Sequence, residues 1–489
     1  MKNKTIYFVT GSQDLYGEET LRQVASNAKE IAKFFAGHKS NPVTVVYKNL
    51  VKNSGQIANV CKEANNDPDC VGVITWMHTF SPAKMWIAGL TALQKPMLHL
   101  HTQYNQKLPY ESIDMDFMNL NQAAHGDREF GYICARLRAK RTVVCGYYED
   151  KAVVDEVFEW ARKAAAVDFC KSLKVCRFGD NMRNVAVTEG DKVEANIKFG
   201  WQIDYYGIGD LVAEVKKVSD SETEALFSEY KKLYSLKDND ADAIKEQAKY
   251  EIAIKRFLDR GGYKAFTTNF EDLHGLKQLP GLAVQRLMEQ GYGFGGEGDW
   301  KTAALGAMLK YMNAGKKGAT DFMEDYTYDL TPRQELVLGA HMLEVSPSFA
   351  VNKPSVKVAP LGIGGKEPPA RLVFDGCTGN GLSITLVDMG ERFRLIVAAI
   401  ELVKQPQSMP NLPVACIMWK IKPDFKTGAA AWIIAGGAHH TVVTTQNTVD
   451  DIADLAKMFD IECVIIDEKT NLRVLEKELF LADTVWKLR

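Results

Sequence analysis

The sequence lacks several features that would place it in a class of protein at once. Its nine cysteines are widely spaced and form no Cys-x-x-Cys pair, which argues against a disulfide framework and against a thiolate zinc site. No apolar run approaches the ~18 residues of a membrane span, and the apolar part of the N-terminal segment is too short for a signal peptide. We therefore expect a cytoplasmic protein with reduced thiols.

An excess of charge of either sign is also lacking. The chain has 60 lysines and arginines against 62 aspartates and glutamates, which gives a formal net charge of −2. No basic field suits nucleic acid, and no polybasic run suits an anionic membrane. We expect neither of these partners, and the balance fits a small substrate of little charge.

A dinucleotide fingerprint is missing as well. The first predicted strand, Thr5–Thr10, is followed by the turn Gly-Ser-Gln-Asp-Leu-Tyr-Gly at 11–17, not by Gly-x-Gly-x-x-Gly. This argues against an NAD-dependent oxidoreductase. Polar residues nevertheless follow the predicted strands, where parallel sheets bind ligands. These residues are Gln13, Tyr16, His78, Thr79, His101 and Gln103.

The chain has 489 residues, a length that predicts two to four domains. Hydrophobic residues make up 46% of them, enough to form large cores. Strand and helix patterns alternate over residues 1–172, which predicts an α/β domain with a doubly wound parallel sheet. Residues 173–317 are again mixed and predict a second α/β domain. Residues 318–489 carry short strand-like runs between Gly, Pro and Asn turns, which predicts a mainly antiparallel β-barrel or sandwich.

Four segments after residue 290 combine carboxylates and imidazoles with glycine or apolar neighbours. They are 295–300 with Glu297, 322–326 with Glu324, 339–345 with His341, and 435–441 with His439 and His440. With one of the two adjacent histidines counted, they supply two carboxylates and two imidazoles without a thiolate, a donor set that suits Mn²⁺, Co²⁺, Fe²⁺ or Zn²⁺ more than Ca²⁺ or Mg²⁺.

Each segment also has a structural interpretation. Asp299 could simply cap the helix that follows it. Glu324 could lie on a solvated strand edge, and His341 could be a structural residue of a strand. His439 and His440 could form an exposed turn. If that last segment is extended, the two side chains point opposite ways and only one could bind a given ion.

These four segments belong to a longer series of motifs that resembles the L-arabinose isomerase family, in order and along nearly the whole chain. The other members of the series are Gly-Ser-Gln-Asp-Leu-Tyr-Gly at 11–17, Trp-Met-His-Thr-Phe-Ser-Pro-Ala-Lys-Met-Trp at 76–86, Asp-Met-Asp-Phe-Met-Asn-Leu-Asn-Gln at 114–122, Cys-Arg-Phe-Gly-Asp-Asn-Met-Arg at 176–183 and Phe-Glu-Asp-Leu-His-Gly at 270–275. The combination is far more specific than any one motif.

The resemblance implies a metal-dependent conversion of L-arabinose to L-ribulose, for which we expect a cis-enediol, with a metal-assisted hydride shift as the competing route. It implies one divalent ion per subunit, Mn²⁺ with Co²⁺ as a substitute, bound by Glu297, Glu324, His341 and His440. Glu297 and Glu324 would also serve as the acid/base pair. The residues leave two alternatives open, an isomerase of another aldose such as L-fucose or D-galactose and a non-catalytic sugar-binding protein.

The resemblance also implies a sugar pocket and an assembly. The matched pocket residues are Gln13, Leu15, Tyr16, Met182, Phe270, Ile363 and His439. His125 matches a residue that a neighbouring subunit supplies to the pocket. We therefore expect a homo-oligomer, a hexamer with sites at subunit interfaces.

Overall fold

The computed structural model describes residues 1, 3–236, 240–362 and 365–488. Within them, no helix is both long and apolar enough to cross a membrane. The chain divides into two compact units, Met1–Asp168 and Phe169–Arg489. The division into three domains, at 172 and 317, stays a prediction, because compactness separates these two units alone.

The N-terminal unit is built on a parallel sheet of strand order β2-β1-β3-β4-β5. Chain order reverses between β1 and β3, as in a doubly wound fold, so this part of the predicted fold class is confirmed. The strands are β1 (Thr5–Gly11), β2 (Thr44–Tyr47), β3 (Cys70–Met77), β4 (Met97–His101) and β5 (Thr142–Cys145). The helices are α1 (Gly17–Gly37), α2 (Ser54–Asn66), α3 (Ile87–Ala92), α4 (Met115–Leu120), α5 (Ala123–Arg136) and α6 (Lys151–Cys170).

The periodicity of residues 117–138 predicts one long helix, and this prediction is wrong. Asn121 leaves the helical conformation with φ −108° and ψ 67°, and it ends α4. The backbone amide of Gln122 donates instead to the carbonyl of His78, at 2.9 Å. The Gln103 side chain accepts from the amide of Ala123, at 3.1 Å, and so stabilises the start of a new helix. Polar side-chain contacts of this kind leave no trace in hydrophobic periodicity.

The second unit begins with another parallel sheet, of order β10-β9-β6-β7, which confirms the predicted second α/β region. Its strands are β6 (Lys174–Phe178), β7 (Gln202–Tyr206), β9 (Ala265–Thr268) and β10 (Gly293–Gly295), and β8 (Ser235–Leu236) lies outside it. The helices are α7 (Lys192–Phe199), α8 (Ile208–Val215), α9 (Asp220–Leu233), α10 (Ala241–Gly261), α11 (Gly281–Glu289) and α12 (Trp300–Met312).

Strands β8, β13 and β14 form a small sheet of their own, and six of the remaining strands form an antiparallel sheet that closes on itself. Its order is β15-β18-β11-β12-β17-β16, and β16 pairs back with β15, so the sheet is a barrel. The parallel strand β19 extends it beside β16. The strands from β11 onwards are β11 (Thr320–Asp329), β12 (Leu336–Ala340), β13 (Ser355–Val358), β14 (Ala370–Val373), β15 (Gly379–Asp388), β16 (Phe393–Val403), β17 (Ile417–Ile421), β18 (His440–Thr444) and β19 (Glu462–Ile466).

Helices α13 (Phe425–Ile434), α14 (Val449–Phe459) and α15 (Leu472–Lys487) complete the chain. The run 431–435 predicts a strand, yet most of it belongs to α13. The Asp424 side chain caps that helix by accepting from the amide of Thr427, at 2.9 Å. A short apolar run suits a buried strand and a helix equally, and the cap upstream decides between them.

The two faces of β11 pack into different cores. Met323 is buried in the cluster that fills the barrel, with Trp419, Ile417 and Val443. Phe322 faces the other way and contacts Phe294 of β10, with ring centroids 5.4 Å apart. Because side chains alternate along a strand, Glu324 shares the outer face with Phe322. The barrel thus presents this carboxylate toward the central sheet.

Gly339 of β12 tests how closely the barrel is packed. A Cβ at this position would lie 1.9 Å from the ring of Trp419, which is fully buried and rigid. We expect Gly339→Ala to lower the free energy of unfolding by about 1–3 kcal/mol, the typical cost of overpacking a core. Urea unfolding followed by tryptophan fluorescence measures the change.

Gly209→Ala is the matched control, because Gly209 lies in helix α8 and a Cβ there meets no atom within 4 Å. Alanine is the better helix former, so this variant should be as stable as the parent or slightly more stable. Equal unfolding midpoints for Gly339→Ala and the parent would contradict the packing described.

Candidate functional site

Two of the four predicted metal ligands lie on neighbouring strands of the barrel, and a third directly follows a strand. Glu324 lies on β11, where it pairs with Ala340 of β12 on one side and with His440 of β18 on the other. His341 follows Ala340 directly. The antiparallel register therefore places one carboxylate between two imidazoles.

The fourth residue, Glu297, comes from the 3₁₀ turn Gly296–Gly298 between β10 and α12. Its backbone is in the left-handed region, with φ 58° and ψ 22°, a conformation that costs a non-glycine residue about 1–2 kcal/mol. The amide of Met182 donates to the Glu297 carbonyl at 2.9 Å and helps to hold the turn. Strain of this kind is retained where a side chain must be aimed at a site.

The side chains of these four residues converge on one small space. The Nε2 atom of His341 lies 3.9 Å from a carboxylate oxygen of Glu324, and Nε2 of His440 lies 4.0 Å from one of Glu297. The two ring centroids are 5.7 Å apart. His440 Nε2 is buried, and no described residue is its hydrogen-bond partner. A buried nitrogen without a partner is costly unless a ligand supplies one.

Gly296 lies beside this space. A Cβ there would be 3.0 Å from Nε2 of His341 and 3.5 Å from Nε2 of His440. Phe322 packs its ring edge-on against both imidazoles, at centroid distances of 5.0 and 5.1 Å. The rings are thus held by packing, and glycine at 296 lets the backbone lie close to both Nε2 atoms without a side chain between them.

Each imidazole is also oriented from behind. His341 Nδ1 donates to a carboxylate oxygen of Glu344, and His440 Nδ1 donates to Asp299 at 3.3 Å. A carboxylate on the far nitrogen is the usual way in which proteins aim a metal-binding histidine. The sequence interpretation missed both roles. It identified Asp299 only as a helix cap, which it also is, since it accepts from the amide of Thr302. Glu344 was missed because, in an extended strand, its side chain and that of His341 would lie on opposite faces. The strand instead ends at Ala340, and the chain bends after it.

His439 differs from expectation. Its Nε2 donates to Glu297 at 3.2 Å, and one ligand atom each of Glu297, His439 and His440 lies within 4.8 Å of the others. An extended segment would point the two imidazoles apart, but β18 starts only at His440 and His439 belongs to the preceding turn. Both therefore face Glu297.

The charges of the cluster act on one another. Burial opposes the imidazolium form of His341, but the charge and hydrogen bond of Glu344, aided by Glu324 and Glu297, raise its pKa to about 9. Burial raises the pKa of Glu297, but the hydrogen bond from His439 and the nearby imidazoles outweigh burial and leave the pKa below its usual value. Burial lowers the pKa of His440 despite its bond to Asp299.

The predicted pocket residues fall in both units. In the second unit, Met182 and Phe270 are half-buried, and Met182 touches the Glu297 turn through its amide. Ile363 lies outside the described residues. In the N-terminal unit, Gln13, Leu15 and Tyr16 lie at the carboxyl end of β1, where Leu15 is 85% exposed.

His125 lies in the first turn of α5 in the N-terminal unit. It is exposed, its ring packs on Phe80 with centroids 4.6 Å apart, and its Nδ1 lies 3.2 Å from the side-chain oxygen of Gln122. The other imidazole nitrogen, Nε2, has no hydrogen-bond partner among the described residues. That a neighbouring subunit supplies His125 to a sugar pocket stays a prediction.

The donor set fits a divalent ion of the first transition series. Carboxylate oxygens and imidazole nitrogens are the ligands that Mn²⁺, Co²⁺, Fe²⁺ and Zn²⁺ share in proteins. Three features suit such an ion: an Nε2 of His440 with no partner among the described residues, a glycine at 296 beside both Nε2 atoms, and a carboxylate on the Nδ1 of each ring.

Comparison with known proteins shows the family to which the chain belongs. Models of the N-terminal, central and C-terminal domains of L-arabinose isomerase match residues 1–172, 174–315 and 319–462. The L-arabinose isomerase of Clostridium beijerinckii is 54% identical over 100% of this chain and 99% of its own. L-arabinose isomerase 1 of Bacillus licheniformis is 53% identical over 100% and 99%. The enzyme of Geobacillus stearothermophilus is 53% identical over 99% and 98%.

Similarity of this extent over full length makes the chain an isomerase. It belongs to the L-arabinose isomerase family, as the motif series predicts.

Gly296→Ala tests whether the space between the imidazoles is a binding site. The added methyl would crowd Nε2 of both His341 and His440, so we expect Mn²⁺ affinity to fall at least about 10-fold, the lower end for a disturbed metal shell. Electron paramagnetic resonance of free Mn²⁺ during titration of the metal-free protein measures it.

Gly306→Ala is the control, since a Cβ at this position of α12 meets neighbours no closer than 3.7 Å. It should bind Mn²⁺ like the parent. Undiminished binding by a folded Gly296→Ala variant would show that an ion does not occupy this space.

Proposed function

We propose that this chain converts L-arabinose to L-ribulose and that one divalent ion per subunit takes part. The proposed ion is Mn²⁺, with Co²⁺ as a substitute, and its ligands are Glu297, Glu324, His341 and His440. The observation that carries the proposal is that each carboxylate lies close to an imidazole Nε2, Glu324 at 3.9 Å from His341 and Glu297 at 4.0 Å from His440, with the two rings 5.7 Å apart. Membership of the family supports the choice of sugar.

The reaction requires a net proton transfer between adjacent carbons. A base removes the proton from C2 of the open-chain aldose while an acid protonates O1, which gives a cis-enediol. The O2 proton is then removed and C1 is protonated, which gives the ketose. When bound, the ion supplies Lewis acidity that stabilises negative charge on the two sugar oxygens.

Glu297 and Glu324 are the proposed acid and base. Each is a carboxylate beside an imidazole, and neither has a lysine or arginine ion-pair partner among the described contacts. A carboxylate can act as base in one half of the reaction and as acid in the other. Glu297 and Glu324 would also hold the ion when it is bound, and coordination would lower the basicity of either carboxylate.

His341 and His440 are proposed to hold the ion and not to exchange protons with the sugar. Both rings are fixed twice, by Phe322 against their faces and by a carboxylate on Nδ1. Fixed rings give a fixed coordination geometry, and that in turn orients substrate oxygens.

His439 is proposed to contact the substrate. Its side chain is 35% exposed, in contrast to the fully buried His440, and it donates to the Glu297 carboxylate. A donor at this place can hydrogen-bond a sugar hydroxyl next to the reacting carbons. Met182, Phe270 and Ile363 are the proposed apolar contacts of the sugar.

Gln13, Leu15, Tyr16 and His125 of the N-terminal unit remain proposed sugar contacts, with His125 supplied by a neighbouring subunit. This arrangement requires an oligomer, and we propose a homohexamer. Size-exclusion chromatography with light scattering tests the assembly directly. A catalytically active monomer would contradict a site shared between subunits.

Metal removal and return is the first test of the function. The purified protein is stripped with a chelator, and ketose formation from L-arabinose is measured with and without added Mn²⁺. We expect L-ribulose only with the ion, because the ion stabilises the charge that develops on the sugar oxygens. Turnover that survives complete removal of the ion would support the isomerase activity but contradict the proposed role of the metal. Absence of ketose in both conditions would direct the assay to L-fucose and D-galactose.

Glu297→Gln and Glu324→Gln test the acid/base pair. Glutamine keeps the shape of each side chain but cannot exchange a proton, so each variant should lose at least about 10²-fold in turnover with Mn²⁺ at saturation. Glu468→Gln is the control, because Glu468 is an exposed carboxylate in the turn between β19 and α15. This variant should turn over normally. Near-normal turnover of either active-site variant would remove that residue from proton transfer.

The route of the proton is tested in D₂O. A carboxylate that carries the C2 proton can exchange it with solvent before delivery to C1, so we expect deuterium at C1 of the L-ribulose, detected by mass spectrometry and NMR. A metal-assisted hydride shift between C2 and C1 is the competing chemistry. That route leaves the product free of solvent deuterium, and such a result would count against the enediol.

A further inference from the structure

A buried lysine lies behind the metal site and has no assigned role. Lys301, in the first turn of α12, has a side chain that is 1% exposed. Its Nζ donates to the carbonyls of Val187, Thr188 and Glu189, at 3.1, 2.8 and 2.6 Å. Burying an ammonium group is costly, and such a residue is retained only where its charge or its bonds are needed.

The only carboxylate that ion-pairs with Lys301 among the described residues is Asp299, with Nζ 3.4 Å from Oδ1. The other oxygen of Asp299, Oδ2, accepts from the Thr302 hydroxyl at 2.7 Å and from His440 Nδ1 at 3.3 Å. Asp299 is itself 1% exposed. A continuous buried chain therefore runs from Lys301 through Asp299 to the imidazole of His440.

The chain also connects the metal site to a loop. The three carbonyls that Lys301 binds belong to the segment 187–189, and Asn181 of the same connection donates to the Thr188 carbonyl at 2.7 Å and to the Gly298 carbonyl at 3.4 Å. Lys301 thus fixes, with one ammonium group, the Asp299 carboxylate and the loop that packs against the Glu297 turn.

We propose that Lys301 is a positioning residue of the metal centre, which acts through Asp299 to hold the His440 imidazole with Nε2 toward the ion. Without the ammonium group, Asp299 loses its lysine partner, and only the amide and hydroxyl of Thr302 then hold its carboxylate beside His440. The bond that aims the His440 ring is thereby weakened. This inference rests on the proposed metal function, and it concerns affinity for the ion before it concerns catalysis.

Lys301→Met tests the proposal, because methionine fills a similar volume without a charge. We expect its affinity for Mn²⁺, measured by electron paramagnetic resonance on the metal-free protein, to fall about 10–100-fold, as is typical when the outer partner of a metal ligand is lost. The absorption spectrum of the Co²⁺-loaded variant should change in the visible range, because the geometry around the ion changes.

Lys310→Met is the matched control. Lys310 lies in the same helix, its side chain is 12% exposed, it pairs with buried Asp321 at 2.6 Å, and it donates to the carbonyls of Met288 and Tyr292. Asp321 has no contact with His341 or His440 among the described hydrogen bonds and ion pairs. This variant should lose stability as Lys301→Met does, yet bind Mn²⁺ like the parent.

A double-mutant cycle with Asp299→Asn shows whether Lys301 acts through Asp299. If it does, Lys301→Met should weaken Mn²⁺ binding much less in the Asp299→Asn background than in the parent. The double variant buries no unpaired charge, so it also serves where Lys301→Met alone fails to fold.

Two results would overturn the proposal. One is Mn²⁺ affinity of folded Lys301→Met within about two-fold of the parent, and the other is an equal loss in both backgrounds. A parent protein that binds no Mn²⁺ fails at an earlier step and overturns the proposed metal function together with this inference, so the two failures are distinguishable.

Discussion

The pairing of β11 with β12 on one side and β18 on the other is the constraint on which the rest of the site depends. It sets Glu324 opposite Ala340 and His440, so that His341 and His440 flank one carboxylate. A slip of one residue in either register would turn Glu324 into the barrel or move an imidazole away from it. The barrel closes through β15 and β16, and closure leaves these central strands without a free edge at which to slip.

The remaining features of the site adapt to that register. Glu297 reaches the same space only from a left-handed backbone conformation, and the loop around Met182 holds it there. Glu344 and Asp299 fix the far nitrogens of the two rings, and Phe322 packs against both. The cost of burying these charges is offset where they pair with one another and where an ion can bind.

The sequence predicted the fold class and its order of regions, because strand and helix periodicities are strong over long stretches. Predicted elements were wrong where a polar contact sets the end or the start of a helix. Examples are Asn121 between α4 and α5, and Asp424 before α13. The four proposed ligands were found from chemistry and from resemblance, since glycines and paired histidines mark them. The residues that orient the two histidines were not found. Glu344 contacts His341 because the chain turns after Ala340, and Lys301 contacts Asp299 in a buried ion pair. Neither contact produces a periodic pattern in the sequence.

The most direct test of the central claim is a crystal structure of the Mn²⁺-loaded protein with anomalous diffraction measured at the manganese edge. The account predicts one anomalous peak per subunit, at bonding distance from Nε2 of His341 and His440 and from carboxylate oxygens of Glu297 and Glu324. A peak bounded by Glu297, His439 and His440 alone, with His341 and Glu324 out of reach, would contradict it.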